Sequence, residues 1–387
     1  TLNAVANEGT SVPPPASLDG RQTGLIGSDR LGFTGSATFA VLQSDGELVA
    51  KTEIDFDALG PGATIGDAVA AINAGLGGAA TASFVDGKLT ITATAAGHGV
   101  AVAQDPTNPS DRAGVGFSHF FGLNDIVRSD DSALVPSGLT EADPHGFTTG
   151  QTAEIVLRDA NGRTLARHTL SPASGGSMGD LVAELNGSLL SAYGSFSLDD
   201  RGRFQFQPNT TAAGASLSIP ADSTDRFDSG RSFSALAGLT GAASGLGGAE
   251  IRPEFVGAPG RIPLARLDTT ADPGAIAVGQ GDTRGATAFV DKLAQAIDFG
   301  KGGSSTIERF ASEMLGRAGM EAARAKTALA DTASRRDDAV NRRDSFSGVN
   351  IDEELMQLIV FQNSYSAAAR VMTTATQMYD TLIDMVR

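Results

Sequence analysis

The residues of this chain best suited to proton transfer or metal ligation are its four histidines, His98, His119, His145 and His168. No two of them stand four apart, as a helical zinc site of the HExxH kind requires. They therefore read as surface or core side chains. The chain has no cysteine, which excludes a disulfide framework, thiolate metal sites and a cysteine nucleophile. Asp130-Asp131 and Asp199-Asp200 lack the spacing of a calcium loop and read as turns. Gly75-Leu76-Gly77-Gly78 and Gly245-Leu246-Gly247-Gly248 form neither a dinucleotide fingerprint between strand and helix nor a P-loop. No nucleophile elbow and no paired glycosidase carboxylates are expected. Asn186-Gly-Ser and Asn209-Thr-Thr match the glycosylation sequon, a three-residue pattern that carries little weight by itself. The expectation is that there is no catalysis, no cofactor and no bound metal.

One regular spacing does stand out, and it belongs to packing. Ile351, Leu358, Tyr365, Met372, Tyr379 and Val386 step by seven through a stretch without Gly or Pro. Leu355, Ala369, Leu382 and Ile383 lie beside them. A heptad row of this length asks for a partner helix. Asn350 is placed to cap it, Glu353 to reach back in a capping box, and Asp352 to Glu354 to meet the positive dipole end. The preceding stretch, Ser304 to Arg343, reads as a second long helix capped by Ser304 or Ser305 with Glu308 in reach. Its apolar rows, Ile307-Ala318-Leu329-Val340 and Ala311-Ala322-Ala333, step by eleven, so it is nearly straight or slightly right-handed. Phe346-Ser347-Gly348-Val349 is a joint between the two, with Gly348 as the stop.

The run Arg342-Arg343-Asp344-Ser345-Phe346-Ser347-Gly348-Val349-Asn350-Ile351-Asp352-Glu353-Glu354, followed by Leu358, Ile359, Gln362, Tyr365, Ala369, Val371, Thr374 and the finish Asp380-Thr381-Leu382, is an ordered set. It resembles the C-terminus of bacterial flagellar axial proteins, and among them the hook-associated, junction-forming members. The resemblance implies a structural subunit between hook and filament. Its partners would be further copies of itself in a ring, hook protein, a second junction protein or flagellin, and an export chaperone on the last helix. It also implies export through the flagellar type III apparatus without a cleaved signal, and a place outside the cell. In that family the last helix pairs with an N-terminal helix to form an inner tube. That helix is not in the sequence shown, which reads as opening mid-protein. Two other readings stand beside it: a sibling axial protein of the hook or flagellin kind, and a secreted adhesin or glycan-active protein.

Composition agrees with assembly. The net charge of −16 argues against nucleic acid as a partner. Residues 304–387 carry 10 Lys/Arg and 12 Asp/Glu, leaving 19 and 33 of the totals of 29 and 45 upstream, so the acidity lies before the long helices. No apolar run is long enough for a membrane span.

Residues 1–30, with Pro13-Pro14-Pro15, read as an extended opening segment. An internal repeat follows over 31–130 and 145–240. Landmarks recur at offsets of 115 (Gly35 and Gly150), 113 (Gly66 and Gly179) and 116 (Phe117 and Phe233). Each copy reads as two strands, a helix, then two or three strands, with hairpin turns at Asp45-Gly46, Asp86-Gly87, Asn161-Gly162 and Arg201-Gly202. Residues 241–300 form an irregular return with a short helix from Thr287 to Phe299. A long helix over 301–346 and a terminal assembly helix over 347–387 complete the chain. The fold class is α+β: two tandem, mainly β modules and a C-terminal pair of long helices of coiled-coil type.

Overall fold

The computed structural model describes residues 2–129, 135–239, 249–299, 303–348 and 350–386. The fold is α+β and divides into two compact units, residues 1–295 and 296–387. Asp130-Asp131, Gly245 to Gly248, Lys301-Gly302 and Val349 of the sequence reading lie outside the described residues.

The first unit opens with α1 (Leu2–Ala6) and β1 (Ser17–Asp19). The first module runs β2 (Ser36–Leu42), β3 (Leu48–Asp55), α2 (Ile65–Leu76), β4 (Ala80–Val85), β5 (Lys88–Ala93), β6 (Gly99–Gln104) and α3 (Phe117–Phe121), then β7 (Val127–Arg128). The second runs β8 (Ala153–Arg158), β9 (Thr164–Leu170), α4 (Met178–Gly187), β10 (Gly194–Leu198), β11 (Phe204–Pro208), β12 (Ser216–Asp222) and α5 (Phe233–Ala237). The return holds β13 (Glu250–Ile251), α6 (Pro253–Gly257) and α7 (Arg284–Ala294). The second unit contains β14 (Ile297–Asp298), β15 (Ser304–Ser305), α8 (Ile307–Ser347) and α9 (Ile351–Asp384).

The two modules share one topology. Antiparallel sheets β3-β2-β6 and β9-β8-β12 correspond, as do the hairpins β4-β5 and β10-β11, the first of which β1 extends. Both helices start on a capping box, Thr64 with Asp67 and Ser177 with Asp180. Each then buries a stripe at helical spacing: Ile65, Ala68, Ile72 and Leu76 in α2; Met178, Leu181, Val182 and Leu185 in α4. An asparagine locks each helix to its hairpin. Asn73 holds both backbone groups of Ala82 at 2.7 and 2.8 Å, and Asn186 both of Phe196 at 2.8 Å. At the β4–β5 turn both Asp86 (φ 47°) and Gly87 (φ 74°) are left-handed, as a tight two-residue hairpin demands.

All of β2 is buried, although strands alternate sides. Ala37, Phe39 and Val41 face a core shared by both modules, while Ala40 and Leu42 face Ala265, Leu267, Ala277 and Val278 of the return segment. The opening segment is less extended than the sequence suggested: α1 packs against α7, and Leu18 and Leu25 enter the shared core. Thr10 bridges Ala265 and Glu8 pairs with Arg266 at 3.1 Å, so segments 2–10 and 261–294 lie together at one end of the unit.

The repeat also reaches further back than its strands. Thr23-Gly24-Leu25, Asp29 and Gly32-Phe33-Thr34 recur as Ser137-Gly138-Leu139, Asp143 and Gly146-Phe147-Thr148, all 114 positions on (137 − 23). Two buried arginines at the same offset, Arg112 and Arg226, tie these turns together reciprocally. Arg112 donates to the carbonyls of Arg30 (2.8 Å) and Leu31 (2.6 Å) in its own turn and of Ser137 (2.9 Å) in the other. Arg226 donates to Pro144 O (2.9 Å) in its own turn, and to Gly24 O (2.7 Å) and both carboxylate oxygens of Asp29 (2.7 and 2.9 Å) in the other. This is the reciprocity of a two-fold interface, built within one chain.

The sequence-derived helix over Thr287 to Phe299 stops early. Ile297 and Asp298 pair with Ser305 and Ser304 instead, and Phe299 stacks on Phe310 with ring centroids 3.9 Å apart. That hairpin takes Ser304 and Ser305 out of the long helix, so Thr306 caps α8 by accepting from Arg309 N. The helix begins at Ile307 and runs to Ser347 rather than over 301–346.

Two outcomes follow for denaturation of the first unit. Asp29→Asn leaves Arg226 buried without its counter-ion and lowers stability by about 3–5 kcal/mol, whereas Arg30→Ala, which removes the half-exposed pair with Asp143 at 3.4 Å, costs under about 1 kcal/mol. Thr64→Ala and Ser177→Ala each cost about 1 kcal/mol through the lost caps.

Candidate assembly surface

The two long helices differ from everything before them in what they bury. At ~1.5 Å per residue α8 is about 60 Å long and α9 about 50 Å. Every described side chain of α8 beyond Phe310 is exposed. In α9 only Ala375 is even half-buried. The eight apolar residues picked out on the last helix, Ile351, Leu355, Leu358, Tyr365, Met372, Tyr379, Leu382 and Val386, are all between 56% and 88% exposed. Neither helix covers the other's rows.

Local chemistry keeps α9 helical without that cover. The Asn350 side chain accepts from Asp352 N at 3.1 Å. Glu353 does not close a capping box; it shares the first turn with Asp352 and Glu354, where negative charge favours the helix. The hydroxyls of Thr373, Thr374, Thr376 and Thr381 donate to carbonyls one turn back, at 2.7 to 2.9 Å, so they make no demand on a partner. Gly348 ends α8 as the sequence suggests, with an extended backbone (φ −69°, ψ 127°), and its N–H donates to Asp344 O at 2.6 Å. A Cβ there would collide with that same carbonyl, so a glycine is required by close approach rather than by handedness.

On a straight helix a seven-residue row drifts by about 20° per heptad, so the six-residue row on α9 winds by about 100° from Ile351 to Val386. One partner can follow it only by supercoiling with it to the left.

The groups that could have carried chemistry are otherwise engaged. His168 Nε2 lies 3.1 Å from Glu184. Burial, assisted by the Arg21 charge, lowers the His119 pKa to about 4. Asp199 accepts from Arg201 N, Arg203 N and Gln205 Nε2 across its turn. The side chains of Asn186 and Asn209 hold backbone groups of Phe196 and Ala192. Gly175-Gly176-Ser177-Met178-Gly179 does have the GxSxG spacing that the sequence reading did not expect, but Ser177 is the cap of α4, exchanging hydrogen bonds with Asp180 at 3.1 and 3.2 Å. Among the described residues no cluster of His, Asp or Glu could hold a metal ion, and no helix is long and apolar enough to cross a membrane.

Residues 342–385, the end of α8 together with all of α9, match the family model of the flagellar basal body rod FlgEFG protein C-terminal. The chain is similar to flagellar hook-associated protein 1 of Bacillus subtilis (strain 168), 31% identical over 103 residues, which is 27% of this chain and 20% of that protein. It is also similar to flagellar hook-associated protein 1 of Escherichia coli (strain K12), 34% identical over 107 residues, 28% of this chain and 19% of that one. These matches thus span about a fifth of the relatives' length. The matched C-terminal segment and the two relatives agree: what this chain is similar to, over these parts, is the flagellar rod and hook-associated proteins.

Proposed function

We propose that the chain is a structural subunit of the junction between hook and filament, assembling through its two C-terminal helices. The observation that carries this is the uncovered row on α9. Eight large apolar side chains, each worth ~1.5–3 kcal/mol when fully buried, represent about 12–24 kcal/mol of gross burial. That exceeds the lower estimates of the ~4–15 kcal/mol lost in fixing two bodies together. Ile351, Leu355, Leu358, Tyr365, Met372, Tyr379, Leu382 and Val386 form the assembly face. Gly348, Asn350 and Glu353 set where it starts. Its occupants are a family-type N-terminal helix or neighbouring copies in a ring, with hook protein on one side and a second junction protein or flagellin on the other. An export chaperone covers the same face beforehand. The reaction is association; no bond is made or broken.

The test is the double change Leu358→Asp and Met372→Asp. Both side chains are exposed, so the first unit keeps its denaturation midpoint within about 0.5 kcal/mol. Incorporation into flagella is lost. Continued filament growth on the variant would show that α9 is not the assembly face. Hydrogen exchange gives a second readout: α9 amides exchange quickly in dilute chain and become protected on assembly.

A further inference from the structure

The two modules act as each other's control, and one position breaks the correspondence. Leu31 of the first becomes His145 of the second, 114 positions on (145 − 31). The backbone setting is the same: Leu31 N donates to Ala63 O at 2.8 Å and His145 N to Gly176 O at 3.1 Å. Both side chains are buried, at 2% and 0% exposure. The fold therefore accepts a plain hydrocarbon in this niche, yet one copy carries a titratable ring.

The ring is held in one protonation state. His145 Nδ1 accepts the Phe147 N–H at 2.9 Å, so the neutral imidazole carries its proton on Nε2, on the side of the Ala173 carbonyl. The ring also stacks on Phe147 at 5.4 Å and 17°. Arg226, in the turn after β12, and the N-terminus of α4 disfavour a cation here. The Ala173 carbonyl favours one, as do Asp180 and Glu184 on α4, but Asp180 closes that helix's capping box and Glu184 holds His168 and Ser171 N. Burial decides the balance and pushes the pKa of His145 below the ordinary histidine value. The flanking residues are those of the module junction: Pro144 O accepts from Arg226 and Gly146 O from Phe227 N.

We propose that His145 is an acid-sensitive latch on this junction. A proton taken from solvent at Nδ1 faces the Phe147 N–H donor to donor, that hydrogen bond breaks, and the 144–147 turn releases Arg226 and the start of α4. Because the folded-state pKa is depressed, the stabilisation is complete above the unfolded value of ~6.5 and is lost as pH falls from there through the folded value.

The test compares the full chain with His145→Leu, the sister module's residue, by denaturation between pH 7.5 and 5.0. Below pH ~6.5 the folded-to-unfolded ratio of the unaltered chain falls up to about tenfold per pH unit faster than that of the variant. Parallel profiles would overturn the proposal. Nitrogen NMR of the unaltered chain decides even if the variant does not fold. The expected result is an Nε2–H tautomer at pH 7.5 and loss of Phe147 amide protection in step with ring protonation. A ring that titrates while that protection stays constant would equally overturn it.

Discussion

The first unit depends on guanidinium groups buried against backbone carbonyls. Arg112 and Arg226 do this across the module junction. Arg21 does it at Phe120, Arg128 at Asp19 and Gly122, Arg231 at Gln22, and Arg252 at Leu123. Each arginine reaches main-chain carbonyls on a segment distant in the chain and satisfies acceptors that would otherwise be left over. Burial lowers the pKa of Arg21 and Arg112 to about 10, which still leaves them charged at neutral pH. A chain without cysteine has no covalent staple between such loops, and these forks take that place. Their cost is desolvation, and the Asp29 carboxylate offsets it most directly, at Arg226.

What could be read from the sequence followed from local rules. The Asp86-Gly87 turn, the helices at Asp67 and Asp180 and the closing phenylalanines depend on neighbours in the chain, and their repeat at nearly constant offset betrayed the duplication. The junction was harder. Its acceptors are mostly main-chain oxygens, which leave no residue-type signature, although the paired Thr23 and Ser137 runs were visible to a wider self-comparison. The hairpin at Ile297 was missed because its apolar spacing, Phe289-Leu293-Ile297, fits a helix equally well, and only the Phe299–Phe310 stack decides between them. On the last helix the spacing of the apolar residues was legible; what it faces is not written in the residues of this chain.

The two units thus solve the burial problem in opposite ways. The described residues of the first unit bury most of their large apolar side chains internally, with even β2 covered on both faces. The helices of the second unit keep their backbone satisfied but leave their side chains open, so packing within the chain adds little to their stability.

The two helical periods, seven on α9 and eleven on α8, drift in opposite senses around a straight helix. If the chain folded back at Gly348, the two rows would meet for a turn or two and then diverge. Each helix is thereby a poor decoy for the other. A lone chain would therefore leave both apolar rows open rather than seal one against the other.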